Sequence, residues 1–347
     1  MEMLNVSMML GSDLWQTIIG WFGSWIVNYG WAIIVFTIAL KLVMIPLDIF
    51  QRVSSQKQTR FMSVMQPEMQ ALQAKYGNDK EKLNQEQAKL YKKYNVNVGG
   101  MCLTMLLTMG LSLVIFFTLF SSLRKFGEEK LYTTYTQLDT VCETYLEDNS
   151  LNENVLKDED FDKNEITVLV KTEYEKVSEQ NSWLWVKNVW KSDTNTSQFV
   201  DFDSYVSYKG YTTDEEKLNA KTRYDFIVNN IQAEEGNQNG LYILIILAAV
   251  VSFLTQFISA KITTPKGQKL NTMNKVMFAV LPISMIFFAM SSNAVFALYI
   301  IVNSFMSALV STIITLIMKN KDKGKSVEEL LQTKKVEVVE YSRNYRK

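Results

Sequence analysis

The chain has 347 residues, 48% hydrophobic and 21% charged, in which 36 Lys and Arg balance 36 Asp and Glu and histidine is absent. Without histidine the usual general base, the triads built on it and the commonest zinc ligand are lost together, which argues against metal-dependent or triad enzymology. The sequence also has no GxxxxGK[ST] phosphate loop, no GxSxG elbow and no GxGxxG, and Cys102 and Cys142 form no disulfide framework, so we expect neither an enzyme nor a cofactor, and no metal site.

The apolar residues lie in long, nearly charge-free blocks, the pattern of an all-α integral membrane protein. Residues 1–27 carry Leu14, Trp15, Ile18, Ile19, Trp21, Phe22, Trp25 and Ile26 and read as an external interfacial helix rather than a signal peptide, since no basic leader precedes them. The first span is expected at 28–48. Residues 49–98 form a cytoplasmic helical hairpin turning at Gly77, Asn78 and Asp79, with Met62, Met65, Met69, Leu72 and Tyr76 making one apolar seam at 3,4 spacing. Pro67 should kink or interrupt its first arm. A second span at 99–122 leads into an acidic loop at 123–239, read as a solvated, partly helical external insert. The third span (240–260), a basic cytoplasmic loop (261–275), fourth and fifth spans joined tightly at Ser291, Ser292 and Asn293 (276–318) and a basic tail (319–347) complete the chain. The fourth span is short and contains Pro282. Five spans follow, each judged against the ~20 residues a helix needs to cross hydrocarbon.

Charge is sorted along the chain. Residues 48–94 hold nine Lys/Arg and five acids, 261–275 four and none, and 319–347 nine and five, whereas 126–239 hold 11 basic and 24 acidic side chains. The three basic segments fall on one side, which the positive-inside rule makes cytoplasmic; the N-terminus and the acidic loop are then outside a bacterial plasma membrane and the C-terminus inside.

Lys41, within TIALKLVMIPL, is the foremost candidate for function. An ammonium there costs about 2.5–3.5 kcal/mol on insertion scales and needs compensation. It can face a wet cavity, or its stem can carry the charge toward the cytoplasmic interface near Asp48; position alone leaves both open. Thr37, Thr104, Thr108, Ser252, Thr255, Gln256, Ser284, Asn303, Ser304 and Ser307 are further polar residues in the spans. Most of the Ser and Thr should bond back to their own helices, whereas Gln256 and Asn303 call for another partner. The methionine seam suits adaptable apolar binding, but packing of the hairpin is the preferred reading. The basic residues of the hairpin and tail serve as orientation signals and could also touch anionic lipid or ribosomal RNA. Ser54 and Lys57 make an SxxK by chance, in a charged cytoplasmic helix.

Taken in order, YGWAIIVFTIALKLVMIPLDIF (29–50), MQPEMQALQAKYGNDKEKLNQEQAKLYKKYNVNVGGMCL (65–103), SWLWVKNVW (182–190), YILIILAAVVSFLTQ (242–256) and, more weakly, ALYIIVNS (297–304) resemble the YidC/Oxa/Alb membrane protein insertases. The resemblance implies five transmembrane helices around a hydrophilic groove open to the cytoplasm and to lipid and sealed toward the outside. It places the family's groove arginine at Lys41 and groove polarity at Thr255 or Gln256; of the other polar residues in the spans, Thr37, Thr104, Thr108 and Asn303 are expected to line the same groove. Met62, Met65 and Met69 fall in the substrate-receiving hairpin. The chain departs from the family pattern at Ile300 after Leu298 and Tyr299, at Val98 after Asn97 and at Thr104 after Cys102 and Leu103. The implied activity is insertion and chaperoning of membrane proteins without nucleotide hydrolysis. The implied partners are nascent membrane proteins and the lipid bilayer, with the ribosome and the Sec translocon as further ones and no DNA. A non-catalytic assembly scaffold of the same fold is the alternative; a transporter or channel is a weaker one, because no internal repeat is visible.

Overall fold

The computed structural model describes residues 2–93, 98–192, 199–235, 239–240, 242–263, 280, 283–284, 286–290 and 292–321. These are helical throughout apart from short connections; the described residues contain no strand, only an isolated bridge between Trp183 and Val186. The elements are α1 (Glu2–Trp25), α2 (Tyr29–Tyr76), α3 (Lys80–Lys93), α4 (Val98–Asp148), a 3-10 turn (Glu153–Leu156), α5 (Asn164–Asn181), α6 (Phe202–Lys209), α7 (Asp214–Glu235), α8 (Ile243–Thr263) and α9 (Ala294–Lys321).

Four of these helices contain stretches long and apolar enough to cross a bilayer: Tyr29–Ser54, Gly110–Asp148, Ile243–Lys261 and Ala294–Met318. Half of the span expected at 276–291 lies outside the described residues, which are helical at 286–290.

Two helices run past the boundaries expected of them. The 48 residues of α2 join the first span to the first hairpin arm without a break, and Pro46 and Pro67 lie inside the helix, so Pro67 does not interrupt it. At 1.5 Å per residue α2 is about 72 Å long. The turn expected after Tyr76 is present, and Asp79 caps α3 by accepting from Lys82 N at 3.1 Å. The 51-residue α4 likewise continues beyond its apolar block into the acidic segment.

The chain divides into two compact units, the first comprising Met1–Leu40, Phe116–Leu254 and Met277–Phe305, the second Lys41–Ile115, Thr255–Val276 and Met306–Lys347. The first unit holds two apolar cores. One gathers Ile19 of α1, Ile33 and Phe36 of α2, Leu119, Leu123 and Phe126 of α4, Val186, Val189 and Trp190, Leu244, Ile245 and Ala248 of α8, and 294–300 of α9. The other belongs to the acidic insert and buries Tyr135, Leu138, Cys142 and Leu146 of α4 against Ile166, Val170, Phe199, Tyr205, Phe226, Ile227 and Ile231.

The insert is therefore more than the solvated segment its acidity suggested. Its helices are defined locally: Asp201 caps α6 by accepting from Ser204 N at 3.0 Å, Gly210 ends it in the left-handed region at φ 72°, and Thr213 with Glu216 forms a capping box at α7. At its centre Arg223, buried, donates from Nε to Asp139 Oδ1 at 2.7 Å and from Nη1 to Glu153 Oε1 at 2.7 Å, while Tyr205 Oη donates to Asp139 Oδ2 at 2.8 Å. Burial alone would lower the guanidinium pKa, but the Asp139 hydrogen bond and the surrounding carboxylates outweigh it and raise the value.

Candidate functional site

Lys41 lies near the middle of the first apolar stretch of α2, and its side chain is only 11% exposed. Its stem runs along the helix to place Nζ 2.7 Å from Asp48 Oδ2, a carboxylate that is itself 23% exposed. The Lys41 charge is thus carried two turns along the helix to Asp48. The Asp48 oxygen makes no hydrogen bond of good geometry, so the contact is coulombic rather than directional. Between the two charges Pro46 lacks an N–H, which leaves the Leu42 carbonyl without its helical donor. Arg52, one turn beyond Asp48 on the same face, has Nε and Nη2 buried and without a hydrogen-bond partner among the described residues.

The remaining candidates divide between the two units. In the second, Thr255 and Gln256 are half-buried on α8, and Met69 is half-buried on α2. Thr104 and Thr108 fall on α4 and Met62 and Met65 on α2, but their side chains lie outside the described residues. In the first unit Thr37 is buried and its hydroxyl donates to Ile33 O at 2.6 Å, the back-bonding that a helical threonine ordinarily makes. Asn303 is half-buried on α9 beside Ser304, whose hydroxyl lies 3.3 Å from that of Ser252 on α8.

Packing along the spanning helices is uneven. In α2 the segment 29–40 contains the buried Ala32, Ile33, Phe36 and Thr37, whereas no residue from 41 to 54 is buried. The same change occurs along α4, where Leu119 and Leu123 are buried but none of the described side chains from 103 to 115 is. In α8 it falls between Ser252 and the segment 253–261, and in α9 between Ile300 and the segment 301–309. Lys41 begins the loosely packed portion of its helix.

The tightly packed ends are tied down by asparagines whose partners sequence reasoning missed, although Asn293 falls in an expected turn. Asn293 Nδ2 donates to Leu123 O at 2.9 Å, and Asn239 Nδ2 donates to Asn188 O at 2.8 Å while Asn239 Oδ1 accepts from Asn188 N at 2.8 Å. Backbone bonds from Ala294 N to Lys191 O (2.8 Å) and from Val295 N to Val189 O (3.0 Å) fasten the start of α9 to the 183–192 segment. Asn28 caps α2 through Trp31 N and donates to Ser182 O at 2.6 Å. No periodicity marks such residues, because each serves a turn or a partner remote in sequence. Asp48 was legible as a partner for Lys41 from the i,i+7 spacing; that Arg52 Nε and Nη2 are buried without a hydrogen-bond partner among the described residues was not.

Among the described residues no cluster of His, Cys, Asp and Glu could hold a metal ion. Comparison with known proteins supplies the family. Residues 21–322 match the model of the family described as 60Kd inner membrane protein. The chain is 42% identical over 90 residues to a protein of Clostridium tetani named membrane protein insertase YidC, a match covering 26% of this chain and 39% of that protein. It is 41% identical over 99 residues to the YidC of Caldanaerobacter subterraneus, covering 28% of this chain and 44% of the relative. With the YidC of Maridesulfovibrio salexigens it shares 43% identity over 103 residues, 30% of this chain and 18% of the relative. The aligned portions thus span less than half the length of these relatives. The match along most of the chain, with the multi-pass helical architecture, shows that it belongs to the 60Kd inner membrane protein family of YidC/Oxa/Alb proteins.

Proposed function

We propose that this protein is a membrane protein insertase and chaperone that works without nucleotide hydrolysis. The observation that carries the reading is a charged side chain, Lys41, placed within a spanning helix at the point where tight packing gives way to a segment with no buried residue. In this reading five spans enclose a groove open to the cytoplasm and lined by Lys41, Thr37, Thr104, Thr108, Thr255, Gln256 and Asn303. The N-terminus and the acidic insert are outside and the C-terminus is cytoplasmic, as the short basic segments require. The hairpin, with Met62, Met65 and Met69, receives the substrate, and the basic tail docks the ribosome; the Sec translocon is a further partner.

A hydrophilic groove lets the polar segment of a client cross only part of the hydrocarbon, which lowers the desolvation cost of each polar group. Lys41 attracts acidic residues in that segment. The client's own hydrophobic transfer drives insertion, assisted for negatively charged tails by the membrane potential at ~2.3 kcal/mol per charge per 100 mV.

Purified protein reconstituted in liposomes tests this directly: a single-span client should become protease-protected. Solute flux without insertion would indicate a transporter, and neither activity would indicate an assembly scaffold. Lys41→Ala should impair clients with acidic translocated tails more than neutral ones; equal impairment would remove Lys41 from the mechanism.

A further inference from the structure

The cation at position 41 is already occupied. Its ammonium sits 2.7 Å from Asp48 Oδ2 on the same helix, and both side chains are largely shielded from solvent. A carboxylate arriving from outside must therefore compete with an internal one whose local concentration is fixed by the helix. Asp48 is held only coulombically, with no directional hydrogen bond at the oxygen nearest the lysine, so its hold can be exchanged without breaking a wider network.

The face also contains a second seat for the displaced carboxylate. Arg52 lies four residues beyond Asp48, the spacing at which side chains on a helix meet, with the acid on the N-terminal side as such pairs prefer. Its Nε and Nη2 are buried and have no hydrogen-bond partner among the described residues. Lys41, Asp48 and Arg52 sum to one positive charge, so a single client carboxylate neutralises the group. With the client on Lys41 and Asp48 on Arg52, every charge is paired, which matters most where unpaired charge is poorly solvated.

We infer that Asp48 is an exchangeable counter-ion that holds Lys41 until a client carboxylate replaces it and then passes to Arg52, so that Asp48 sets the selectivity between acidic and neutral clients. This rests on the insertase reading above and adds a positioning residue and a specificity determinant to it. The surplus positive charge, rather than the lysine alone, is what the client meets.

The test compares two single-span clients that differ only in carrying an Asp or an Asn in the translocated tail, in liposomes of zwitterionic lipid, with the ratio of their insertion yields as the readout. Asp48→Asn should raise the acidic-to-neutral ratio by at least about fivefold, the lower end of ordinary coupling between sites. Lys41→Ala, which strands Asp48 as a repelling carboxylate, should depress the ratio, and Lys41→Ala combined with Asp48→Asn should restore it most of the way. Arg52→Gln should lower the ratio when Asp48 is present, where it removes both a positive charge and the seat for the displaced carboxylate, and lower it clearly less in the Asp48→Asn background, a non-additivity that a purely structural role does not produce. Should Asp48→Asn impair folding, Asp48→Glu serves as the second variant and should keep the wild-type ratio, since it preserves the charge. An unchanged or lowered ratio in Asp48→Asn, additive effects of the Asp48 and Arg52 changes, or a raised ratio in Asp48→Glu overturns the inference and leaves the insertase reading standing. Failure of the wild type to insert either client refutes that reading itself, and the inference with it.

Discussion

Arg223→Met is the sharpest test of how the acidic insert is held together. The guanidinium is 3% exposed and bonds Asp139 and Glu153 at 2.7 Å each, with Glu143 Oε1 3.5 Å from Nη2. Methionine fills much of the volume but removes every donor. Glu143 and Glu153 keep access to water, with 44% and 21% of their side chains exposed, so they lose little. Asp139, 2% exposed at its side chain, retains only the hydrogen bond from Tyr205 and becomes a buried, uncompensated carboxylate. Leaving one partner of a buried pair unmatched costs about 3–5 kcal/mol. Replacing both, as Asp139→Asn with Arg223→Met, should recover at least about 2 kcal/mol of that, because the buried charge is gone. Hydrogen exchange on the intact protein in nanodiscs reads this locally: amides of α7 and of α4 from 135 to 148 should exchange about 100- to 4,000-fold faster in Arg223→Met. Exchange in α3, which belongs to the other unit, should not change. A loss under 1 kcal/mol, or an equal loss in the double variant, would refute the view that charge pairing rather than volume is what Arg223 supplies.

Two further outcomes follow from the first unit. A Cβ added at Gly30 would overlap the Trp183 ring, which packs directly over that backbone, so Gly30→Ala should displace Trp183, lower the thermal midpoint of the detergent-solubilised protein and change its tryptophan fluorescence; an unchanged spectrum would contradict the packing. The Asp201 carboxylate is held below its ordinary value of 3.8 by its hydrogen bonds to Ser204, opposed by slight burial. Because its folded value is depressed, its contribution to α6 is fully present above pH 3.8 and disappears as pH falls through the lower folded value. Asp201→Ala should remove about 1 kcal/mol of α6 protection at neutral pH and abolish that acid-dependent loss, both measurable by pH-dependent exchange of the α6 amides.

The membrane character of the chain, the helix break after Tyr76, the pairing of Lys41 with Asp48 and the family resemblance were legible in the amino-acid order. Each rests on a local or periodic property: apolar run length, 3,4 spacing, a Gly-Asn-Asp break, a charge inside an apolar run. The i,i+7 spacing also pointed to Asp48, because both residues ride on one helix whose geometry the sequence already implies.

What lay beyond reach depended on contacts between remote segments. Composition marked 123–239 as acidic and solvated, yet burying Tyr135, Leu138 and Cys142 requires Ile166, Phe199 and Ile227 to arrive from three other stretches. No local pattern announces that an arginine and an aspartate 84 residues apart will meet. The asparagines at 28, 188, 239 and 293 look like ordinary turn residues until their amides are seen bonding carbonyls of other elements. Apolar run length specifies which helices can enter a bilayer, since the cost of transferring each residue is nearly local. Tertiary structure alone decides that α2 is tightly packed as far as Thr37 and loose from Lys41 onward, because packing is a property of the neighbours a helix acquires.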